Sequence, residues 1–155
     1  MAFLTLTNGS QVEVEDDDFE HVEQWVWYPH PDGYAQRGIQ VEKQLVMNLL
    51  HREIMGAKEG ELVDHRDRNM SRCVRRNLRI VTHRQNLMNR SPNKRSSSGY
   101  RGVSWNPQRE KWAVRVILDK RVFFFGYYDD PEEAAYVWDQ CALQLYGAYA
   151  YRNLL

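Results

Sequence analysis

The sequence predicts an α+β chain in two modules, and three observations carry that prediction. Short runs of alternating apolar and polar residues, separated by turn residues, fill the first third. A strand–loop–strand–helix order spans residues 62–90 and opens with an adjacent carboxylate and imidazole, Asp64-His65. After a Ser-rich break, the pattern changes to three closely spaced strands followed by one amphipathic helix. The expected layout is a β-rich lead-in and a ββα unit over 1–92 and a linker over 93–98. A three-stranded antiparallel sheet with one helix then covers 99–155.

Composition narrows the function classes. Of the 155 residues, 43% are hydrophobic, with five Trp and nine Tyr, enough for packed cores. Cys73 and Cys141 lie far apart and form no CxxC pair, which argues against a zinc ribbon or a disulfide framework. Free thiols, no apolar signal core and no apolar run of membrane-spanning length lead to the expectation of a soluble cytoplasmic protein with no membrane partner. Net charge is zero but segregated. Residues 1–33 hold eight Asp/Glu and no Lys/Arg, whereas residues 64–101 hold eleven Lys/Arg against two Asp/Glu. A basic excess of that size around a candidate hydrolytic site points to a polyanionic partner.

In chain order, Phe3-Leu4-Thr5-Leu6 and Gln11-Val12-Glu13-Val14-Glu15 alternate on either side of Asn8-Gly9, the pattern of a hairpin. Asp16-Asp17-Asp18 places negative charge where a helix begins. Trp25 to Tyr28 and Tyr34 to Arg37 flank Pro29-His30-Pro31-Asp32-Gly33 and read as strand, turn, strand. Apolar residues at 45, 46, 49, 50, 54 and 55 fit a helical stripe ending near Gly56, with His51 as a packed or assisting histidine. Leu62 to His65 and Asn77 to Val81 read as strands. Thr82 and Gln85 have capping-box spacing ahead of a helix over 83–89.

Asp64-His65, the basic loop Arg66 to Arg76, Asn77-Leu78-Arg79, and Thr82 through Asn86 occur in the order and spacing of the HNH endonucleases, and the segment resembles their phage and intron-encoded branch. The resemblance implies a ββα-metal motif. In it, Asp64 and Asn86 ligate one divalent ion, His65 acts as general base and Asn77 braces the loop that orients His65. Asn89 is an alternative second ligand, and His83 is either an exposed residue at the helix start or a contact to the leaving group. Mg²⁺ suits few protein ligands and several waters, with Mn²⁺ as the other candidate. An imidazole of ordinary pKa near 6.5 can accept a proton from water at neutral pH.

Tyr100-Arg101-Gly102-Val103, Lys111-Trp112, Phe125-Gly126-Tyr127-Tyr128, Glu133-Ala134-Ala135 and Tyr146-Gly147 to Asn153-Leu154 resemble the Apetala-two (ethylene-response-factor) DNA-binding domain. That family lays a three-stranded sheet in the major groove, its helix packed behind. By strand alternation Trp112, Val114, Val116 and Leu118 face the helix, and Ala113, Arg115 and Ile117 face outward. Phe123, Phe125 and Trp138 are expected in the core. Ser104, Asn106, Ile117 and Val122 stand where the plant domains carry arginines, which implies a different and looser readout.

The expected partner is double-stranded DNA. Contacts are expected from Arg66, Arg68, Arg72, Arg75, Arg76, Arg79, Lys94, Arg95, Arg101, Arg115 and Arg121, with Trp105 and Phe124 as apolar contacts. The implied activity is phosphodiester hydrolysis by a homing-type endonuclease encoded by a phage or mobile element. A monomer would nick, and a homodimer would cut both strands. The alternative is a non-cleaving DNA-binding regulator on the same scaffold. An RNA-directed nuclease is disfavoured because the sheet lacks the paired aromatics of single-strand binders.

Overall fold

The Asn8-Gly9 turn joins β1 (Ala2–Thr5) to β2 (Gln11–Val14) in an antiparallel pair whose inward residues, Leu4, Val12 and Val14, are buried. Gly9 sits at φ +83, a conformation with little steric cost only for glycine. The computed structural model describes residues 1–154 and divides into two compact units, Met1–His83 and Arg84–Leu155.

In the first unit, α1 (Asp16–Val22) begins with three aspartates and no side-chain cap from Glu15, so charge at its N-terminus supplies the local preference. β3 (Tyr28–Pro29) is only two residues long, because Trp27 is buried and donates its indole N–H to the Val22 carbonyl rather than extending a strand. β4 (Ala35–Val41) and β5 (Gln44–Leu49) form a long hairpin closed by Glu42 and Lys43, both at positive φ. This corrects the helix expected from Leu45. Leu45, Val46 and Met47 are exposed, so no buried stripe holds that segment helical, and cross-strand pairs such as Ile39–Val46 hold it extended. Only Leu50–Met55 (α2) is helical; it buries Leu50 and Ile54 and ends at left-handed Gly56.

β6 (Leu62–His65) pairs with β7 (Leu78–Val81), Asp64 opposite Arg79 and His65 opposite Leu78. The connecting loop runs beside β2: Glu13 N donates to the Ser71 carbonyl and Cys73 N to the Glu13 carbonyl, each at 2.8 Å. Leu4, Val12, Val14, Val22, Trp27, Leu50, Cys73 and Leu78 are among the residues of one core.

In the second unit, α3 (His83–Met88) leads to a sheet of β8 (Val103–Asn106), β9 (Lys111–Leu118) and β10 (Arg121–Tyr128), with β9 central. α4 (Pro131–Tyr146) packs on one face. It begins with Asp130 accepting from the Glu132 and Glu133 amides and with Pro131 in its first turn. Val114, Val116, Ala134, Ala135, Trp138 and Ala142 fill the core. Phe123, expected inside, is exposed on β10, while Phe125 packs against the core. The first strand starts at Val103 rather than Tyr100, because Gly102 turns at φ +72. A Cβ on Gly102 would meet the Trp138 indole nitrogen at 1.8 Å and the Arg115 carbonyl at 2.6 Å.

The units divide at His83/Arg84, not in the Ser-rich stretch at 93–98. Arg101 is the physical reason: its guanidinium donates to the carbonyls of Leu87, Met88 and Arg90, and Tyr151 N donates to the Met88 carbonyl. No described helix is long and apolar enough to cross a membrane.

Candidate functional site

Asp64 and His65 are consecutive on β6, so alternation sends their side chains to opposite faces of the β6–β7 pair. On one face, Arg79 donates from Nε to Asp64 Oδ2 at 2.8 Å, and its Nη2 lies 2.7 Å from the same oxygen. Both side chains are 9% exposed. A metal-ligating carboxylate is itself usually hydrogen-bonded, so this pairing can orient Asp64. It also withdraws Arg79 from the expected set of DNA contacts.

On the other face His65 is 3% exposed. Its ring meets His51 edge-on at 4.9 Å and Tyr34 at 5.9 Å, and its Nε2 lies 3.6 Å from Cys73 Sγ. Burial lowers the His65 pKa despite the opposing pull of the Asp67 and Asp64 carboxylates. Burial, then His65 and Arg52, lowers His51 to about 3. The Tyr34 hydroxyl is raised by burial and by Asp32 and Asp64. Cys73, pushed up to about 12 by burial, is an unreactive thiol. His51, by sequence a packed or assisting histidine, is packed here against His65, whereas Tyr34 and Cys73 beside it come from separate elements and follow no motif spacing.

Asn77 fixes the loop between the strands. Its side-chain amide donates to Asp67 Oδ1 at 2.8 Å and to the Arg72 carbonyl at 2.9 Å, while its oxygen accepts from Asp67 N at 3.1 Å. Its own carbonyl accepts from Arg66 N. Burial raises the Asp67 carboxyl, but bonds from the Asn69 amide, Asn77 and Arg72 outweigh it and lower the pKa.

Two arginines of the basic loop pair with carboxylates of their own unit. Arg75 makes a two-pronged pair with Asp18, its Nη2 at 2.6 Å, and Arg72 bridges Glu13 and Asp67. Asp18 and Glu13 of the acidic N-terminal third are therefore counter-charges of Arg75 and Arg72, while the Arg75 side chain stays 54% exposed. Arg66 and Arg76 are exposed and Arg68 is half-buried at φ +63.

In the second unit Asn86 is half-buried on α3 and Asn89 is buried just beyond it. Asp64 belongs to the first unit, so neither unit by itself brings the two expected ligands together. Among the described residues no three His, Cys, Asp or Glu side chains gather as a metal-binding group. Asp64 remains a hard oxygen donor of the kind Mg²⁺ takes alongside waters.

Arg101, expected at DNA, is instead a structural clamp, its guanidinium stacked near Trp138, Tyr146 and Tyr151. The outer face of the sheet carries Ser104, Arg115, Ile117, Val122, Phe124 and Tyr127. Trp105 falls on the opposite, helix-side face, edge-on to Trp112 at 5.1 Å, so it does not join Phe124. Arg121, Lys94 and Arg95 are exposed.

No protein-family model matches the chain, and no solved structure matches it. A similar protein is Protein 3.8 of Escherichia phage T7, 29% identical over 92 residues, which cover 59% of this chain and 75% of that protein.

Proposed function

We propose that the chain is a phage-type HNH endonuclease that hydrolyses phosphodiester bonds in duplex DNA with a divalent metal ion, Mg²⁺ or Mn²⁺. The observation that carries this reading is the acid–imidazole pair Asp64-His65 ending a strand whose following loop is pinned by Asn77. A divalent ion bound at Asp64 would offset charge developing on the phosphate. Arg79 orients Asp64, and burial lowers the His65 pKa, which favours the neutral form that accepts a proton; the reading requires that these two side chains, which leave β6 on opposite faces, meet where the strand ends. The C-terminal unit holds the duplex through the outer face of its sheet. The likeness to a phage protein supports a phage source.

The second reading, a non-cleaving DNA-binding protein on the same scaffold, is favoured by one specific observation: His65 is packed against Cys73, His51 and Tyr34 at 3% exposure. Supercoiled plasmid separates the two. The nuclease reading expects conversion to open circles with Mg²⁺ or Mn²⁺ and none with chelator; duplex binding without any conversion selects the second.

A further inference from the structure

Three exposed apolar side chains gather on the outer face of the C-terminal sheet. Ile117 and Val122, 61% and 58% exposed, are cross-strand partners on β9 and β10. Phe124, 49% exposed, lies two residues further along β10, opposite Arg115. Arg115 is steadied there: its Nη1 donates to Ser104 Oγ at 3.0 Å, and its guanidinium carbon lies 5.9 Å from the Phe124 ring centre. A clustered apolar patch rimmed by polar groups marks an interaction site.

Charge identifies the class of partner. Arg115 stands on this face and Arg109 lies over the Tyr127 ring at 4.9 Å, while Lys111 is paired with Asp129 and Arg121, opposite Leu118, projects to the helix side; α4 behind the sheet carries Glu132, Glu133 and Asp139 and no Lys or Arg. A face on which arginines without an ion pair among the described residues stand beside apolar side chains suits a polyanion. The β9–β10 hairpin is a two-stranded ribbon, a shape that the major groove of B-DNA admits. The base edges in that groove present hydrogen-bonding groups, with one apolar exception, the C5-methyl of thymine. A methylated cytosine carries the same group.

From this we infer that Ile117, Val122 and Phe124 read pyrimidine C5-methyl groups in the major groove, with Arg115 as the neighbouring polar contact. The inference rests on the reading that the C-terminal unit holds duplex DNA. It differs from that reading in demanding a specific chemical group.

The test uses the full chain and a duplex selected from a random library, resynthesised with thymine or with uracil, which pairs identically but lacks the methyl. Anisotropy titrations at one fixed salt concentration are expected to show roughly fourfold weaker binding per methyl removed, about fifteenfold for two, as burial of single methyl groups implies. A double variant, Ile117→Ala with Val122→Ala, is expected to bring the thymine/uracil ratio close to one; both side chains are exposed, so the fold survives. Replacing each contacted T·A pair by C·G or by 5-methyl-C·G distinguishes the sources. Tighter binding with 5-methylcytosine assigns the face to either methylated pyrimidine, and equal binding assigns it to thymine. Equal affinity of wild type for the thymine and uracil duplexes overturns the inference and leaves DNA holding intact. No duplex binding at all overturns the underlying reading as well.

Discussion

Arg79 and Asp64 face each other across two paired strands, and two nitrogens of the arginine, Nε and Nη2, converge on a single oxygen, Asp64 Oδ2. A buried pair of this kind is held less by net gain than by the cost of separating it. Arg79→Met leaves a buried carboxylate without its cation and is expected to cost about 3–5 kcal/mol in urea unfolding. The double variant Arg79→Met/Asp64→Leu is expected to recover most of that loss. A double variant destabilised by the sum of Arg79→Met and Asp64→Leu measured singly would show that the pair is not coupled.

Asn77 makes three side-chain hydrogen bonds into one loop. Asn77→Ala is expected to cost about 2–3 kcal/mol, given roughly 1 kcal/mol net for each bond. Hydrogen exchange at the Asp67 amide, which loses its acceptor, should accelerate before that of the β6–β7 amides. Uniform acceleration throughout the unit would place the loop's support elsewhere.

Within the second unit Arg101 ties the end of α3 to the sheet-and-helix body through the carbonyls of Leu87, Met88 and Arg90. Arg101→Ala is expected to lower stability by about 2–4 kcal/mol, since three donated hydrogen bonds and the guanidinium's packing near Trp138, Tyr146 and Tyr151 are lost together. Arg101→Lys should recover only part, because an ammonium cannot reproduce the planar fork or its stacking. Thermal melting of the two variants checks this; indistinguishable melting of Lys and wild type contradicts it.

His51 gives stability a pH dependence of definite sign. Its folded pKa, about 3, lies below the ordinary 6.5, so between these values the unfolded chain binds the extra proton. That contribution is fully present above about pH 6.5 and is lost as pH falls toward 3, at about 1.4 kcal/mol per pH unit. His65, lowered in the same direction, steepens the loss. Urea unfolding from pH 7 to pH 4 should show this slope in wild type and a shallower one in His51→Gln. Parallel slopes would remove His51 as the cause.

Local signals made part of the molecule legible from its sequence. Asn8-Gly9 announces its hairpin, Asp130-Pro131 its helix start and Gly56 its helix end, because each acts through its immediate neighbours. The order Asp64-His65, Asn77 and β7 is readable for the same reason, and Asn77 hydrogen-bonds to Asp67 and to the Arg72 carbonyl within the loop. Tertiary pairing was not readable. Arg75 meets Asp18 and Arg72 meets Glu13 across more than fifty residues, so cations that resemble a DNA-binding run are partly the counter-charge of the N-terminal acids. The apolar spacing at 45–55 fits a strand followed by a helix as well as one helix, and pairing with β4 decides between them.

The proposed role of His65 as the base that accepts a proton from the attacking water is read out by single-turnover nicking of supercoiled plasmid in Mg²⁺. Wild type is expected to nick, and His65→Ala, at matched DNA occupancy, to nick about 10²–10⁴-fold more slowly. Equal rates for the two proteins would contradict the account.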